Sequence, residues 1–178
     1  ATILGLKYLG PKNPKIVGIV GVGTMATNAL RCLVELYDGI EEIRCTSRRP
    51  ETREAFAAKW SAKLGIPVLP MDSVEQVVTG ADIGIGGTTS DKIMCREAWL
   101  KPGATYVSFT RREFEPDGWP KMDKVAVDSW EMNMLMQHFR HSADTGLFTR
   151  DMLHAEMHEL VRGVKPGRES DTERNLIH

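Results

Sequence analysis

Residues 15–26, which read KIVGIVGVGTMA, decide the fold of this 178-residue chain. Lys15 to Val20 is a short run rich in β-branched residues, as is typical of a buried strand, and glycines follow it directly. From Thr24 to Tyr37 the apolar residues recur at helical spacing. The stretch therefore predicts a strand, a tight glycine turn and a helix in immediate succession.

The same alternation continues along the chain. Further strands are predicted at 42–46, 66–69, 81–87, 104–109 and 124–127. Between them, Pro50 and Gly65 mark the start and stop of a helix, and Ser73 with Gln76 has the spacing of a capping box. Parallel strands need a crossover, which is usually a helix. We therefore predict a Rossmann-type α/β fold, a doubly wound parallel sheet of about six strands with helices on both faces.

Composition excludes several classes of partner. Lys and Arg number 23 and Asp and Glu 24, which gives a net charge of −1. A nucleic-acid partner is not expected, because no surplus of positive charge is available for phosphates. A membrane partner is not expected either, since the longest apolar stretch is far shorter than the roughly 20 residues of a spanning helix. Three scattered cysteines suggest no disulfide framework, which favours a reducing, cytoplasmic setting.

The glycine turn has the form of a dinucleotide fingerprint, because it follows a strand and opens a helix. Gly21 allows the tight turn, Gly23 lets a pyrophosphate approach the backbone, and Ala26 replaces the usual third glycine. Thr24 and Met25 begin the helix, whose N-terminus offers free N–H groups to phosphates. The alternative is a tight strand–helix turn without a ligand.

The end of the second predicted strand bears on the choice of cofactor. An acidic residue at this place binds the ribose of NAD, but the sequence reads Ser47-Arg48-Arg49. Two guanidinium groups suit a 2′-phosphate, so we predict NADP as cofactor, with NAD as a possibility. The alternative is that both arginines are solvated charges.

Hydroxyl side chains follow the fourth predicted strand, at Thr88-Thr89-Ser90. Ligands of such folds bind at the carboxyl edge of the sheet, so these hydroxyls are candidates to contact the cofactor. A simple turn that caps the next helix at Ser90 is the alternative. The glycines of this strand also indicate a close approach to its backbone. No metal site is predicted, because His154 and His158 lack a third ligand.

Five segments, in order and spacing, resemble the nucleotide-binding domain of the ornithine cyclodeaminase/mu-crystallin family. The segments are GVGTMA at 21–26, SRRP at 47–50, GADIGIGGTTS at 80–90, EAWLKPGATYVSF at 97–109 and ELVRGVKPGRESD at 159–171. The last is the most specific, because generic dehydrogenases have no counterpart to it. The resemblance covers nearly the whole chain.

The resemblance implies a homodimer that binds NAD or NADP and transfers a hydride at the α-carbon of an amino or imino acid. Amino-acid dehydrogenases, ketimine or pyrroline carboxylate reductases and cyclodeaminases are all implied. It assigns Gly21, Gly23, Thr24, Met25 and Ala26 to the pyrophosphate, Ser47, Arg48 and Arg49 to the adenosine ribose, and Thr88, Thr89 and Ser90 to the middle of the cofactor. A non-catalytic NADP-binding module is the alternative. A short-chain dehydrogenase is disfavoured, because no Tyr-x-x-x-Lys pair follows the fingerprint.

Two features depart from the family pattern. Residues 110–113 read TRRE where cyclodeaminases carry a catalytic aspartate, so Glu113 becomes the candidate catalytic residue and a dehydrogenase or reductase is favoured. In addition, the basic residues that hold the substrate's carboxylate belong, in the family, to a separate N-terminal domain. We therefore expect residues 1–12 to end an inter-domain helix, 13–145 to form the NAD(P)-binding domain, and 146–178 to form a helix and polar tail that lead back toward the N-terminal substrate and dimerisation domain.

Overall fold

Eight parallel strands form one sheet in the computed structural model, which describes residues 2–90, 92–109 and 113–178. The strands are β1 (Ile16–Val20), β2 (Glu42–Thr46), β3 (Val68–Pro70), β4 (Ile83–Gly86), β5 (Thr105–Ser108), β6 (Lys124–Val127), β7 (Ala155–Glu156) and β8 (Asn175–Ile177). Their order across the sheet is β3-β2-β1-β4-β5-β8-β6-β7. The predicted Rossmann-type fold is confirmed, with eight strands instead of about six.

Seven α-helices accompany the sheet in the described part of the chain. They are α1 (Thr2–Leu9), α2 (Thr24–Leu36), α3 (Pro50–Leu64), α4 (Val74–Val78), α5 (Trp130–Met134), α6 (Gln137–Asp144) and α7 (Met157–Val161). Short 3-10 turns lie at Glu97–Trp99, Pro116–Lys121 and Arg150–Met152. Helix α3 starts at Pro50 and is capped at its C-terminus by Gly65, whose backbone is in the left-handed region. Ser73 and Gln76 form a complete capping box at the start of α4. Within the described residues, no helix is long and apolar enough to cross a membrane.

Two hydrophobic clusters lie on the two faces of the sheet. Strand β5 shows the alternation directly, because Val107 belongs to one cluster and its neighbour Tyr106 to the other. The first cluster contains side chains of α1, α2, α3 and α7, and the second contains side chains of α4 and α6. Helices therefore cover both faces, as a doubly wound sheet requires.

The segment 146–178, expected to be a helix and a polar tail, contributes two strands to the sheet. Strand β8 lies between β5 and β6, and its Leu176 is in register with Tyr106 on one side and Val125 on the other. The spacing of His154 and His158, four residues, predicts that both lie on the last helix, but His154 precedes β7 and only His158 lies on α7. Strands of two and three residues are too short to show an apolar alternation in the sequence. Their partners in the sheet determine their conformation.

Candidate functional site

The loops that follow β1, β2 and β4 lie side by side at the carboxyl edge of the sheet. These three strands are neighbours, and backbone hydrogen bonds join them where the strands end and the loops begin. The N–H of Gly21 donates to the carbonyl of Thr46 at 2.9 Å, and the N–H of Gly87 donates to the carbonyl of Val20 at 2.8 Å. In parallel α/β sheets, ligands bind in the crevice at this edge.

Gly21 is required by the fold itself. Its φ of 89° lies in the left-handed region, and a Cβ on this residue would lie 2.7 Å from the carbonyl oxygen of Gly87. Gly23 is different, because its φ of −80° suits any residue and a Cβ there would meet no atom within 4 Å. The second glycine of the fingerprint therefore borders open space at the start of α2.

The first turn of α2 presents its backbone to the same space. Thr24 and Met25 are exposed, whereas Ala26 is fully buried. A Cβ on Gly87 would lie 3.5 Å from the backbone nitrogen of Ala26, so the helix start lies close to the end of β4. The N-cap, Gly23, has no side chain to accept a hydrogen bond from the first N–H groups. These groups are therefore available to an anion.

The residues after β2 form the second part of the edge. The hydroxyl of Ser47 donates to the carbonyl of Arg49 at 2.9 Å, which shapes the turn. Arg48 and Arg49 are exposed, and within the described residues neither guanidinium has a hydrogen bond or ion pair. The turn also contacts Arg53, whose guanidinium donates to the carbonyl of Ser47 at 3.3 Å and forms an ion pair with Asp72.

The residues after β4 form the third part of the edge. The hydroxyl of Thr88 accepts the N–H of Ser90 at 3.2 Å, and the hydroxyl of Ser90 accepts the N–H of Lys92 at the same distance. These are the turns expected of the alternative interpretation. The helix that Ser90 was to cap is absent from the described residues 92–96, and the next helical turn starts at Glu97. That part of the interpretation is wrong, because the chain turns here toward backbone pairing at Cys95.

Glu113 lies beneath this loop and is fully buried. Its carboxylate accepts the N–H of Thr88 at 2.5 Å through Oε1 and the N–H of Phe109 at 2.9 Å through Oε2. The neighbouring Thr110, Arg111 and Arg112 lie outside the described residues. The candidate catalytic residue is therefore at the expected edge, and backbone groups hold its side chain.

The glycines of β4 make room for protein side chains. A Cβ on Gly84 would lie 2.6 Å from the ring of Tyr106, and one on Gly86 would lie 2.7 Å from both the Tyr106 hydroxyl and Glu113 Oε2. Burial, reinforced by Cys95 and Glu113, raises the pKa of Tyr106 well above its ordinary value. The close approach predicted from the sequence is real, and in this structure Tyr106 and Glu113 make it.

A cavity of about 1250 Å³ opens beside α6 and is lined by Lys92, Phe114, Trp119, Phe139, Phe148 and others. None of the residues predicted to bind the cofactor lines it. Among the described residues, no group of three or more His, Cys, Asp or Glu side chains is placed to hold a metal ion.

Sequence reasoning missed two features of this edge. The only sequence signal for the contact of Arg53 with Ser47 is the position of Arg53 in α3, about one helical turn after the N-cap residue Arg49. The hydrogen bond from Thr88 to Glu113 joins residues 25 positions apart, so no local sequence pattern predicts it. Both depend on how the loops meet in three dimensions.

This chain is similar to known proteins in fold and in sequence. Delta(1)-pyrroline-2-carboxylate reductase of Thermococcus litoralis, solved with NADH and L-proline, superimposes with a TM-score of 0.88 at 30% identity, over 98% of this chain and 55% of that one. N-((2S)-2-amino-2-carboxyethyl)-L-glutamate dehydrogenase of Staphylococcus aureus is 27% identical over 99% of this chain and 53% of its own length. Ketimine reductase mu-crystallin of Macropus fuliginosus is 29% identical over 95% of this chain and 52% of its own.

The chain thus spans about half the length of the relatives that it matches. The model of the ornithine cyclodeaminase/mu-crystallin family matches residues 1–177, nearly every position of the sequence. Together with the parallel sheet and its glycine turn, this match shows that the chain belongs to the ornithine cyclodeaminase/mu-crystallin family.

Proposed function

We propose that this chain is the NADP(H)-binding half of an oxidoreductase that acts at the α-carbon of an amino or imino acid. One observation carries the proposal. The backbone turns tightly at Gly21, as the fold requires, while Gly23 borders open space next to the first N–H groups of α2, which have no partner among the described residues. A glycine that the backbone conformation and the packing do not require fits the close approach of a ligand.

The three loops of the edge suit the parts of a dinucleotide. We assign Gly21, Gly23, Thr24, Met25 and Ala26 to the pyrophosphate, Ser47, Arg48 and Arg49 to the adenosine ribose and its 2′-phosphate, and Thr88, Thr89 and Ser90 to the middle of the cofactor. The order follows the sheet, in which β2, β1 and β4 are neighbours. The exposed guanidinium groups of Arg48 and Arg49 support NADP as the preferred form, with NAD as the alternative.

The chemistry follows from the cofactor and the family. When bound, a nicotinamide ring supplies or accepts the hydride, and the protein binds and orients the reactants. The similarity to reductases and dehydrogenases of imino and amino acids supports the substrate class. The catalytic role of Glu113 stays a prediction, because its carboxylate is buried and held by backbone groups.

Positioning of the substrate is assigned to a second domain. In this proposal, α1 ends an inter-domain helix, the further domain holds the carboxylate of the substrate and forms a homodimer, and the protein works in the cytoplasm. The share of the relatives that this chain spans, about half, supports a division of this kind. Orientation of two reactants can account for about 7–11 kcal/mol of a barrier, so its loss abolishes measurable catalysis.

The test is the absorbance of reduced nicotinamide in the presence of a panel of amino acids and cyclic imines. We expect the 178-residue chain to bind NADPH without substrate-dependent turnover. A longer protein that carries the preceding domain as well should oxidise or reduce at least one member of the panel. Rapid turnover by this chain alone contradicts the two-domain proposal.

Two alternatives have distinct outcomes in the same assay. If the longer protein binds NADPH but turns over no member of the panel, it is a non-catalytic NADP-binding module. Release of ammonia from ornithine or lysine without net change in the nicotinamide identifies a cyclodeaminase, a lyase. The replacement of the expected aspartate by the TRRE segment at 110–113 favours the oxidoreductase.

A further inference from the structure

We propose that Glu113 is a positioning residue that fixes the loop after β4 against the middle of the cofactor and so holds the nicotinamide-bearing half in place. This inference rests on the proposed function, because it takes the dinucleotide to lie along the carboxyl edge. It gives Glu113 a task other than proton transfer, and it follows from contacts at both ends of one loop.

The side chain of Glu113 joins the ends of two neighbouring strands. Gly86 and Ser108, the last residues of β4 and β5, are in register. Just beyond them, Thr88 donates its N–H to Oε1 at 2.5 Å and Phe109 donates its N–H to Oε2 at 2.9 Å. One carboxylate therefore spans the gap between the two strand ends, and both bonds are charge-assisted.

The main chain of Glu113 holds the other end of the same loop. Its carbonyl oxygen accepts the N–H of Met94 at 3.2 Å and that of Cys95 at 2.6 Å. Phe114 then pairs with Cys95 in an isolated parallel bridge. The segment that begins at Thr88 and returns at Cys95 is thus attached to Glu113 at both of its ends.

The fold reserves space for this carboxylate. A side chain on Gly86 would collide with it, since a Cβ there would lie 2.7 Å from Oε2. Glu113 is also fully buried, and a buried carboxylate is costly unless donors compensate the lost hydration. The N–H of Thr88 in the loop and the N–H of Phe109 after β5 are two such donors. Carboxylate and loop therefore depend on each other.

Loss of the bond should affect one half of the cofactor site. Glu113 holds the loop after β4, whereas the arginines follow β2, which is separated from β4 by β1, so we expect the adenosine half to keep its binding groups. A neutral amide at 113 offers only one acceptor oxygen where a carboxylate offers two, and its N–H₂ group faces another donor. Thr88 or Phe109 then loses its partner, and the loop after β4 leaves its place.

The experiment compares two ligands on the 178-residue chain and its Glu113→Gln variant. The ligands are NADPH and adenosine 2′,5′-bisphosphate, which lacks the nicotinamide half, and calorimetry measures both affinities. We expect the variant to bind NADPH at least about tenfold more weakly than the wild type does, which is the effect of losing a hydrogen bond to a charged group. The affinity for adenosine 2′,5′-bisphosphate should be the same in both proteins.

Two further variants make the test specific. Glu115→Gln is the matched control, because the carboxylate of Glu115 also accepts a backbone N–H at 2.7 Å, but from Glu97, which lies two residues beyond the return of the loop at Cys95. It should leave both affinities unchanged. Gly86→Ala should reproduce the selective loss of NADPH affinity, because its methyl group displaces Oε2, together with the Tyr106 hydroxyl, without changing residue 113. It also serves if Glu113→Gln does not fold.

Each outcome decides the proposal. If Glu113→Gln and Gly86→Ala bind NADPH as the wild type does, Glu113 does not position the loop, and slower turnover of the longer Glu113→Gln protein then assigns it to catalysis. Equal weakening of both ligands indicates a general structural role and overturns the proposal as well. If the wild-type chain binds neither ligand, the proposed function fails first.

Discussion

Arg48 and Arg49 determine, in this account, which dinucleotide is preferred. Both side chains are exposed, and the turn that carries them is shaped by Ser47 and held by Arg53. We predict that Arg48→Ala weakens NADPH binding by about 1.5–3 kcal/mol, about tenfold to a hundredfold, while NADH affinity stays the same. Arg31→Ala, which removes an exposed arginine from α2, is the control for overall charge. Calorimetric titrations that give equal NADPH and NADH affinities for the wild type would contradict the assignment.

At the scale of the residue, a motif identifies candidate positions, but it does not give the physical reason why each residue is there. Gly21 and Gly23 were both named from the sequence, yet only Gly21 has a positive φ and a backbone atom in the way of a side chain. Glu113 is the candidate catalytic residue by resemblance, because residues 110–113 stand where cyclodeaminases carry an aspartate. Its hydrogen bonds reach Thr88, 25 positions earlier, and a contact of that range leaves no trace in local spacing.

At the scale of the element, the segment ELVRGVKPGRESD has a clear structural task. It holds the C-terminal end of α1 against the amino edge of the sheet. The N–H of Arg168 donates to the carbonyl of Tyr8 at 2.7 Å, and its guanidinium reaches the carbonyl of Leu9 at 3.2 Å and the hydroxyl of Thr105 at 2.9 Å. A Cβ on Gly167 would lie 2.6 Å from the Tyr8 carbonyl oxygen, so only glycine allows this approach.

We predict that Arg168→Ala lowers the free energy of unfolding by about 1–3 kcal/mol, because charge-assisted bonds to the end of α1 are lost. Denaturant unfolding measures the change, and faster proteolysis near residue 10 should accompany it. Arg162→Ala is the matched control, since Arg162 is exposed at the end of α7. An Arg168→Ala chain as stable as this control would show that the segment does not hold α1.

Elements with local signals were predictable, and elements without them were not. Proline and glycine mark the ends of α3, and a capping box marks the start of α4, so the sequence predicts both. Strand β8 has three residues inside a polar tail, and its place between β5 and β6 depends on strands far away in the sequence. Pairing on both sides, rather than propensity, makes it a strand.

At the scale of the whole molecule, the two edges of the sheet have separate tasks. The carboxyl edge carries the loops of the candidate cofactor site, from the arginines after β2 to Glu113. The C-terminal end of α1 reaches the amino edge, where Asn175 of β8 also donates to the carbonyl of Leu9 at 3.0 Å. The helix itself lies on one face of the sheet, with Leu6 and Leu9 in the first cluster and Gly5 against Ile177, the last residue of β8. We propose that the dinucleotide half is complete on this chain and that α1 leads to the further domain.

The most direct test of this account is a fluorescence titration of NADPH with the chain and its Gly23→Val variant. Valine fits the backbone at 23, and its Cβ meets no protein atom within 4 Å, so both proteins should unfold at the same temperature. We predict a saturable change in nicotinamide fluorescence with the wild type and none with the variant, whose side chain fills the space for the pyrophosphate. No saturable binding of NADPH or NADH by the folded wild-type chain, or equal binding by the variant, would contradict the account.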